Sequence, residues 1–397
     1  MLMIKIKIRF ILIFLCSSYP LFSQIVDFDK GSIDQKKYFE EIPYDLVKEK
    51  IVVPVTINGK VYRFLLDTGA PNLISQKLFD ELNLVEISSV KINDANNLVQ
   101  SMRATEIPKV KIGSLNFKNQ IALIYDIHSN NLLSCYNIDG FIGSNLLRKS
   151  VLKINTSQKK IYITNNVKNL KPKTKPSKIE LVGTQKAPYV KFNFVGKNNN
   201  KVSEMVLIDT GMDGYYDMAN QNFNYFKESG VFEIVAESKG VSGIGIFGAG
   251  PSNLQRLLKV ETAVLNNVSF KNLLIETMDD TNSRIGLEFL NHGDLIIDFK
   301  HKQAYFEAQD TISLENKIPK YIPTMIDNKF VIGMVWDENL AKLINSGDEI
   351  MSIDSKKVNE LSPCEIMDLR NEFKNKTNYI IEIKNKENKI VSLKIEN

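Results

Sequence analysis

The chain has 397 residues, 43% of them apolar and 24% charged, with 20 Gly and 12 Pro, so it can bury large cores in two or three domains and is not a mainly disordered sequence. Its formal charge of +5 falls by three once Lys5, Lys7 and Arg9 are removed with the leader described next, and that near-neutral balance argues against nucleic acid as a partner. Its three histidines, His128, His292 and His301, have no paired ligand spacing, so neither a metal nor any other cofactor is expected.

Residues 1–23 read as a secretory signal: basic residues, then the apolar run 10–16, then a small-residue end at Ser23. The run is too short to span a bilayer, the alternative being an uncleaved amphipathic anchor. The mature chain is expected to be exported, periplasmic or secreted, with no membrane span. Cys135 and Cys364, the two cysteines left after cleavage, fall in different predicted domains and read as free thiols or buried fillers.

Residues 24–48 are polar and mixed, and fit an edge strand, a wrapping arm or a short pro-segment. Residues 51–57, the turn pair Asn58-Gly59 and residues 61–66 read as a hairpin running into Asp67. Residues 73–75 and 76–83 predict a short strand and a helix capped by Ser75, with Leu78, Phe79 and Leu82 on one face. Strand-like runs alternate with turns from 88 to 125, and a strand pair follows near 151–154 and 160–164. The basic, proline-containing stretch 168–178 reads as a solvated linker. A second hairpin, residues 189–195 and 202–208, then runs into Asp209.

Each hairpin therefore ends in Asp-Thr-Gly, first as Asp67-Thr68-Gly69-Ala70 and again as Asp209-Thr210-Gly211-Met212. The far end of each half repeats too. Residues 141–147 align without gaps onto 284–290, pairing Phe141 with Arg284 and Gly143 with Gly286, and the match continues through Ile154/Ile297 to Tyr162/Tyr305. Asp67 precedes Gly143 by 76 positions and Asp209 precedes Gly286 by 77. One plan used twice predicts a pseudo-twofold pair of all-β lobes with the two Asp loops meeting at the axis.

Over about residues 45–308 this pattern resembles the retropepsin-like and pepsin-like aspartic proteases, in the bacterial form with both lobes on one chain. The resemblance implies a mainly β, bilobal double barrel: lobe 1 over 49–168, a linker over 169–180 and lobe 2 over 181–308. It also implies that Asp67 and Asp209 face each other across one water and share a proton, as paired carboxylates must. Thr68 and Thr210 would tie the loops together, and the amides of Gly69 and Gly211 would hold the carboxylates. Ala70 follows the family pattern, whereas Met212 stands where a small or hydroxyl residue is expected and Asp213 adds a third carboxylate.

Gly243, Gly245 and Gly248 satisfy a dinucleotide-loop spacing but lack a strand-to-helix turn. At 34 residues beyond Asp209 they fit the family's glycine-rich flap over the cleft. The corresponding first-lobe segment, 90–105, contains no Tyr.

The C-terminal stretch 318–397 reads as strand, helical turn, strand, a helix opened by the capping box Ser362-Pro363-Cys364-Glu365, and two strands. With its Gly347-Asp348-Glu349-Ile350 turn it resembles a small α+β PDZ domain, which implies a peptide ligand added as a strand. The polar residues 326–329 stand where the carboxylate-binding loop would be, so a structural appendage is the other reading. The chain as a whole is expected to be a monomeric aspartic endopeptidase acting on peptides or proteins. The alternative is an inactive protease-fold protein that binds peptides through the cleft and the PDZ-like domain.

Overall fold

A computed structural model describes residues 26–315, 317–374 and 376–396; the signal reading of residues 1–23 lies outside them. The chain is mainly β. In the first half, Lys50–Ile57 turns at Asn58 and Gly59, with φ of 50° and 81°, into Lys60–Asp67. Both residues occupy the left-handed region that a two-residue hairpin needs. Apolar side chains from both strands are buried, so the hairpin is anchored in the core and Asp67 is delivered at a fixed strand end.

Leu73–Ser75 follows, and the Ser75 side chain accepts a 3.0 Å bond from the Leu78 amide to cap the helix Gln76–Glu81. A long hairpin, Glu86–Asn93 with Val99–Ile112, leads to Leu115–Tyr125. Gly140–Gly143 then enters parallel to Lys60–Asp67, with Gly143 opposite Asp67.

The second half repeats this order. Ala187–Val195 pairs with Lys201–Ile208, a long hairpin joins Phe232–Gly240 to Asn253–Leu265, Val268–Met278 follows, and Arg284–Ile285 lies parallel to Lys201–Ile208. Between the halves, Val151–Asn155 pairs antiparallel with Gly293–Asp298, matching Leu152 to Ile297 and Ile154 to Leu295. Because Ile154 and Ile297 are equivalent positions of the repeat, that register is self-complementary, as a twofold requires. Phe39–Pro43 extends the same sheet beside Lys160–Thr164, so at this point the N-terminal segment is an edge strand. One continuous apolar core runs under both halves.

The C-terminal region forms a separate sheet in the order Tyr321–Ile326, Lys329–Val335, Glu349–Ile353, Asn378–Lys384, Ile390–Glu396. Ile366, Leu369 and Phe373 of the helix Pro363–Lys374 pack into its own core. The capping box forms: the Ser362 amide donates to Glu365 at 2.7 Å, and the Glu365 amide to Ser362 Oγ at 3.4 Å. The first two strands are joined by Asp327 and Asn328, both with positive φ, rather than by a longer loop.

The reading of Cys135 and Cys364 as free thiols or fillers is corrected, because the two form a disulfide with Cα atoms 5.1 Å apart. Their separation of 229 residues hid this, since it is the docking of the helix Pro363–Lys374 against the turn Leu133–Tyr136 that makes them neighbours. Lys48 joins the same contact, pairing with Asp368 and donating to the Cys364 carbonyl. A second contact holds the long hairpin of the second half: the Val241 amide donates to the Gly333 carbonyl and the Val335 amide to Ser238 Oγ, both at 3.0 Å. Leu257, Met334 and Trp336 form a small apolar cluster beside it.

Candidate active site

The two Asp-Thr-Gly loops meet. The Thr68 amide donates to Thr210 Oγ1 at 3.0 Å and the Thr210 amide to Thr68 Oγ1 at 3.1 Å. Each hydroxyl then donates onward across the junction, Thr68 to the Ile208 carbonyl at 2.6 Å and Thr210 to the Leu66 carbonyl at 2.9 Å. Both threonines are buried, and these four bonds satisfy both hydroxyls and both amides.

Each glycine stands against the opposite carboxylate. A Cβ on Gly69 would lie 2.8 Å from Asp209 Cγ, and one on Gly211 would lie 2.5 Å from Asp67 Oδ2. Only a residue without a side chain lets the loops approach this closely. The Gly69 and Ala70 amides donate to Asp67 Oδ1 at 2.9 and 3.0 Å, and the Gly211 amide to Asp209 Oδ1 at 2.8 Å. Gly143 and Gly286 pack beneath the loops, where an added Cβ would meet the Ala70 carbonyl at 2.5 Å or the Gly214 carbonyl at 2.7 Å.

Burial, and then the charge of Asp209, push Asp67 up to about 7. Asp67 thus keeps its proton well above the ordinary carboxylate range with a second carboxyl group against it, an arrangement suited to general acid and general base work on a single water. Glu204 and Glu276 are raised to about 7, chiefly by burial, and Asp217 to about 8 by burial and its neighbour Glu276. These acids hold protons in the folded chain that they release near the ordinary carboxylate range when it unfolds. Stability is therefore expected to fall as pH rises from about 4 to 8, so thermal unfolding at pH 5 should have the higher midpoint. A midpoint that rises steadily over that range would contradict these assignments.

The tips of the two long hairpins meet each other. Gly243, Gly245 and Gly248 lie at the tip of the second-half hairpin, where Ile244–Gly245 pairs with Gly248–Ala249. Asn96, at the tip of the first-half hairpin, donates to the carbonyls of Gly243 and Gly248 at 3.2 and 3.1 Å. Asp94 accepts from the Phe247 amide at 3.1 Å, and Tyr125 and Asn130 donate to the Ile246 carbonyl at 2.7 and 3.1 Å. Ile246 and Phe247 pack on the apolar wall formed by Leu65, Met102, Tyr136 and Phe141.

Met212 contributes backbone beneath its loop, accepting from the Leu287 amide at 3.1 Å, while its amide turns back to the Asp209 carbonyl. Neither bond uses the side chain. Met212→Ser or Met212→Ala is therefore expected to leave peptide cleavage equal or higher, and a large loss of kcat/KM would mean that the thioether shapes the substrate pocket. Asp213 does not stand free beside the pair, because Lys50 holds it at 2.5 Å and also donates to the Gly211 carbonyl.

Lys50 and Arg284 lie outside the motifs that mark the site in the sequence. Lys50 is a strand-end lysine, and no local signal predicts that it crosses to the other half. Arg284 did carry a signal: in the gapless repeat it replaces Phe141. Its Nη1 lies 3.4 Å from Asp209 Oδ2, and its Nη2 pairs with Asp280 and donates to the Ala95 carbonyl. Among the described residues no group of three or more His, Cys, Asp and Glu is placed to hold a metal ion, and no helix is long and apolar enough to cross a membrane.

Two solved structures similar to this chain are a retropepsin-like aspartic protease from Rickettsia conorii and an aspartic proteinase from Irpex lacteus. The first has 16% identity and a TM-score of 0.24 over 34% of this chain and 94% of that one. The second has 12% identity and a TM-score of 0.41 over 68% of this chain and 97% of that one. No curated protein matches the sequence. Residues 53–146, which carry Asp67-Thr68-Gly69 and Gly143, match the family model described as aspartyl protease.

Proposed function

We propose that the chain is an aspartic endopeptidase that hydrolyses peptide bonds with a water activated between Asp67 and Asp209. The observation that carries this reading is the interlocking of the two Asp-Thr-Gly loops, in which each glycine touches the opposite carboxylate. In the mechanism, the ionised carboxylate takes a proton from the water as it attacks the scissile carbonyl carbon. The protonated carboxyl gives its proton to the carbonyl oxygen, forming a neutral diol with no covalent bond to the protein. Collapse of the diol passes a proton to the departing amine. Thr68 and Thr210 fix the loops, and Ala70, Met212 and the glycine-rich hairpin tip border the substrate.

The two hairpin tips exclude water from this reaction and must part to admit a peptide. An extended substrate lying under them would take the place of Ile246 and Phe247 on the apolar wall. The reading further includes export through residues 1–23, action as a monomer since one chain supplies both carboxylates, and a PDZ-like domain at 318–397 that either holds a peptide strand or serves as a brace.

The test is incubation of purified residues 24–397 with a denatured protein mixture from acidic to neutral pH. New fragments with defined cleavage sites are expected. Retention of peptides without fragments at every pH would favour the inactive, peptide-binding alternative and overturn this reading.

A further inference from the structure

The pair departs from symmetry in two contacts: Asp67 accepts from two loop amides where Asp209 accepts from one, and Arg284 stands against Asp209 alone. In the first half, Phe141 lies in register with Leu65 on the strand that ends at Asp67. In the second half, Arg284 lies in register with Leu207 on the strand that ends at Asp209. The first position sends an aromatic ring into an apolar wall, whereas the second sends a guanidinium to a carboxylate.

Arg284 and Asp209 are each 7% exposed, so water screens their attraction little. The guanidinium is held from several sides. Asp217 is its register partner on Tyr216–Ala219, with Glu276 next across the sheet, and Asp280 pairs with it from the preceding turn. Tyr189 faces it from Ala187–Val195, and the Ala95 carbonyl reaches it from the first hairpin tip. Burial raises Asp217 and Glu276 well above the ordinary carboxylate range, and the two carboxyl groups in direct contact with the guanidinium are Asp280 and Asp209. The other nearby cation, Lys50, sits on Asp213 and the Gly211 carbonyl.

We propose that Arg284 is a positioning residue that breaks the symmetry of the pair, holding the negative charge on Asp209 as general base and leaving the shared proton on Asp67 as general acid. This assignment rests on the hydrolytic reading above for its consequence, though not for its test. In the forward step the water proton moves to Asp209 while the Asp67 proton moves to the carbonyl oxygen. The diol then returns a proton to Asp67, and Asp209 passes its own to the amine, restoring the starting state. The contact to Ala95 places the same guanidinium on the hairpin that covers the cleft, so opening of that tip removes one of its partners.

The test uses residues 24–397 with ¹³C-labelled aspartate carboxyl groups, the resonances of Asp67 and Asp209 being assigned with the two Asp→Asn variants. At about pH 5.5, between the ordinary carboxylate range and the value near 7 for Asp67, wild type is expected to read Asp67 protonated and Asp209 ionised. In Arg284→Met the difference between the two signals should shrink as the proton spreads over both carboxyls, and Arg284→Lys, which keeps the charge, should restore it. A wild-type proton on Asp209, or an unchanged difference in Arg284→Met, would overturn the proposal. If Arg284→Met fails to fold, the wild-type spectrum and Arg284→Lys still decide. The readout needs no turnover, so a chain with this asymmetry that cleaves nothing would sink the hydrolytic reading alone, and a cleaving chain with the proton on Asp209 would sink the assignment alone.

Discussion

Asp67→Asn and Asp209→Asn are each expected to lower kcat/KM for peptide hydrolysis by about 10²–10⁴-fold, the usual contribution of a positioned acid or base. Neither change alters side-chain volume. The carboxamide oxygen of Asp67→Asn can still accept from the Gly69 and Ala70 amides, and that of Asp209→Asn from the Gly211 amide, so the loops should keep their shape. What each variant loses is a site that exchanges a proton. Thermal unfolding of Asp67→Asn should be nearly unchanged, because a protonated carboxyl is replaced by a neutral amide, whereas Asp209→Asn takes a carboxylate from buried Arg284 and should lower the midpoint. A variant that cuts at the wild-type rate would mean that its carboxylate is not part of the reaction.

Gly211→Ala is expected to be as damaging to activity for a different reason. Its new Cβ would stand 2.5 Å from Asp67 Oδ2 and 2.6 Å from Cγ, closer than a real Cβ approaches any heavy atom. Asp67 has little freedom to yield, being a short side chain already tied to two amides. The carboxylate or the loop must move by several tenths of an ångström, and displacement toward 1 Å costs about 10²-fold in rate. Gly59→Ala is the contrast. Nothing lies within 4 Å of its Cβ, but its φ of +81° penalises any side chain. That change should cost about 1–2 kcal/mol of stability and leave kcat/KM unchanged. Equal activity in Gly211→Ala would show that the two loops do not make this close approach.

The pattern of these expectations follows what the sequence could and could not convey. The Asn58-Gly59 turn, the Ser75 cap and the Ser362/Glu365 capping box are local devices whose partners lie within four residues, and each was readable before any fold was known. The equivalence of Ile154 and Ile297 was readable because the repeat spells each strand twice, whereas the pairing of Leu152 with Ile297 and of Ile154 with Leu295 across the halves was not. Contacts made only by tertiary folding were not. Cys135 and Cys364 carry no sign of each other, and Lys50 reaches Asp213 across the junction between halves from a strand that reads as any other. Asp94 and Asn96 look like ordinary turn residues, yet their side chains hold the opposite hairpin tip. Thr311–Ser313, a three-residue strand beside Val268–Met278, lies in a polar stretch with no strand pattern of its own.

Arg284 lies between these cases. The alignment that revealed the repeat also displayed an arginine opposite Phe141, but its meaning depended on which way that strand faces. Only the parallel register with the strand leading to Asp209 turns a mismatch in a repeat into a charge on a carboxylate.

Two halves of one chain bring Asp67 and Asp209 together at a single site. The measurement that tests this most directly is kcat/KM on one peptide substrate for Asp67→Asn, Asp209→Asn and the double variant. If the carboxylates act as one unit, the double variant is expected to be no slower than the weaker single variant, since the first substitution already removes the function that the second would disrupt. Losses that multiply in the double variant, or one single variant that retains wild-type activity, would contradict it.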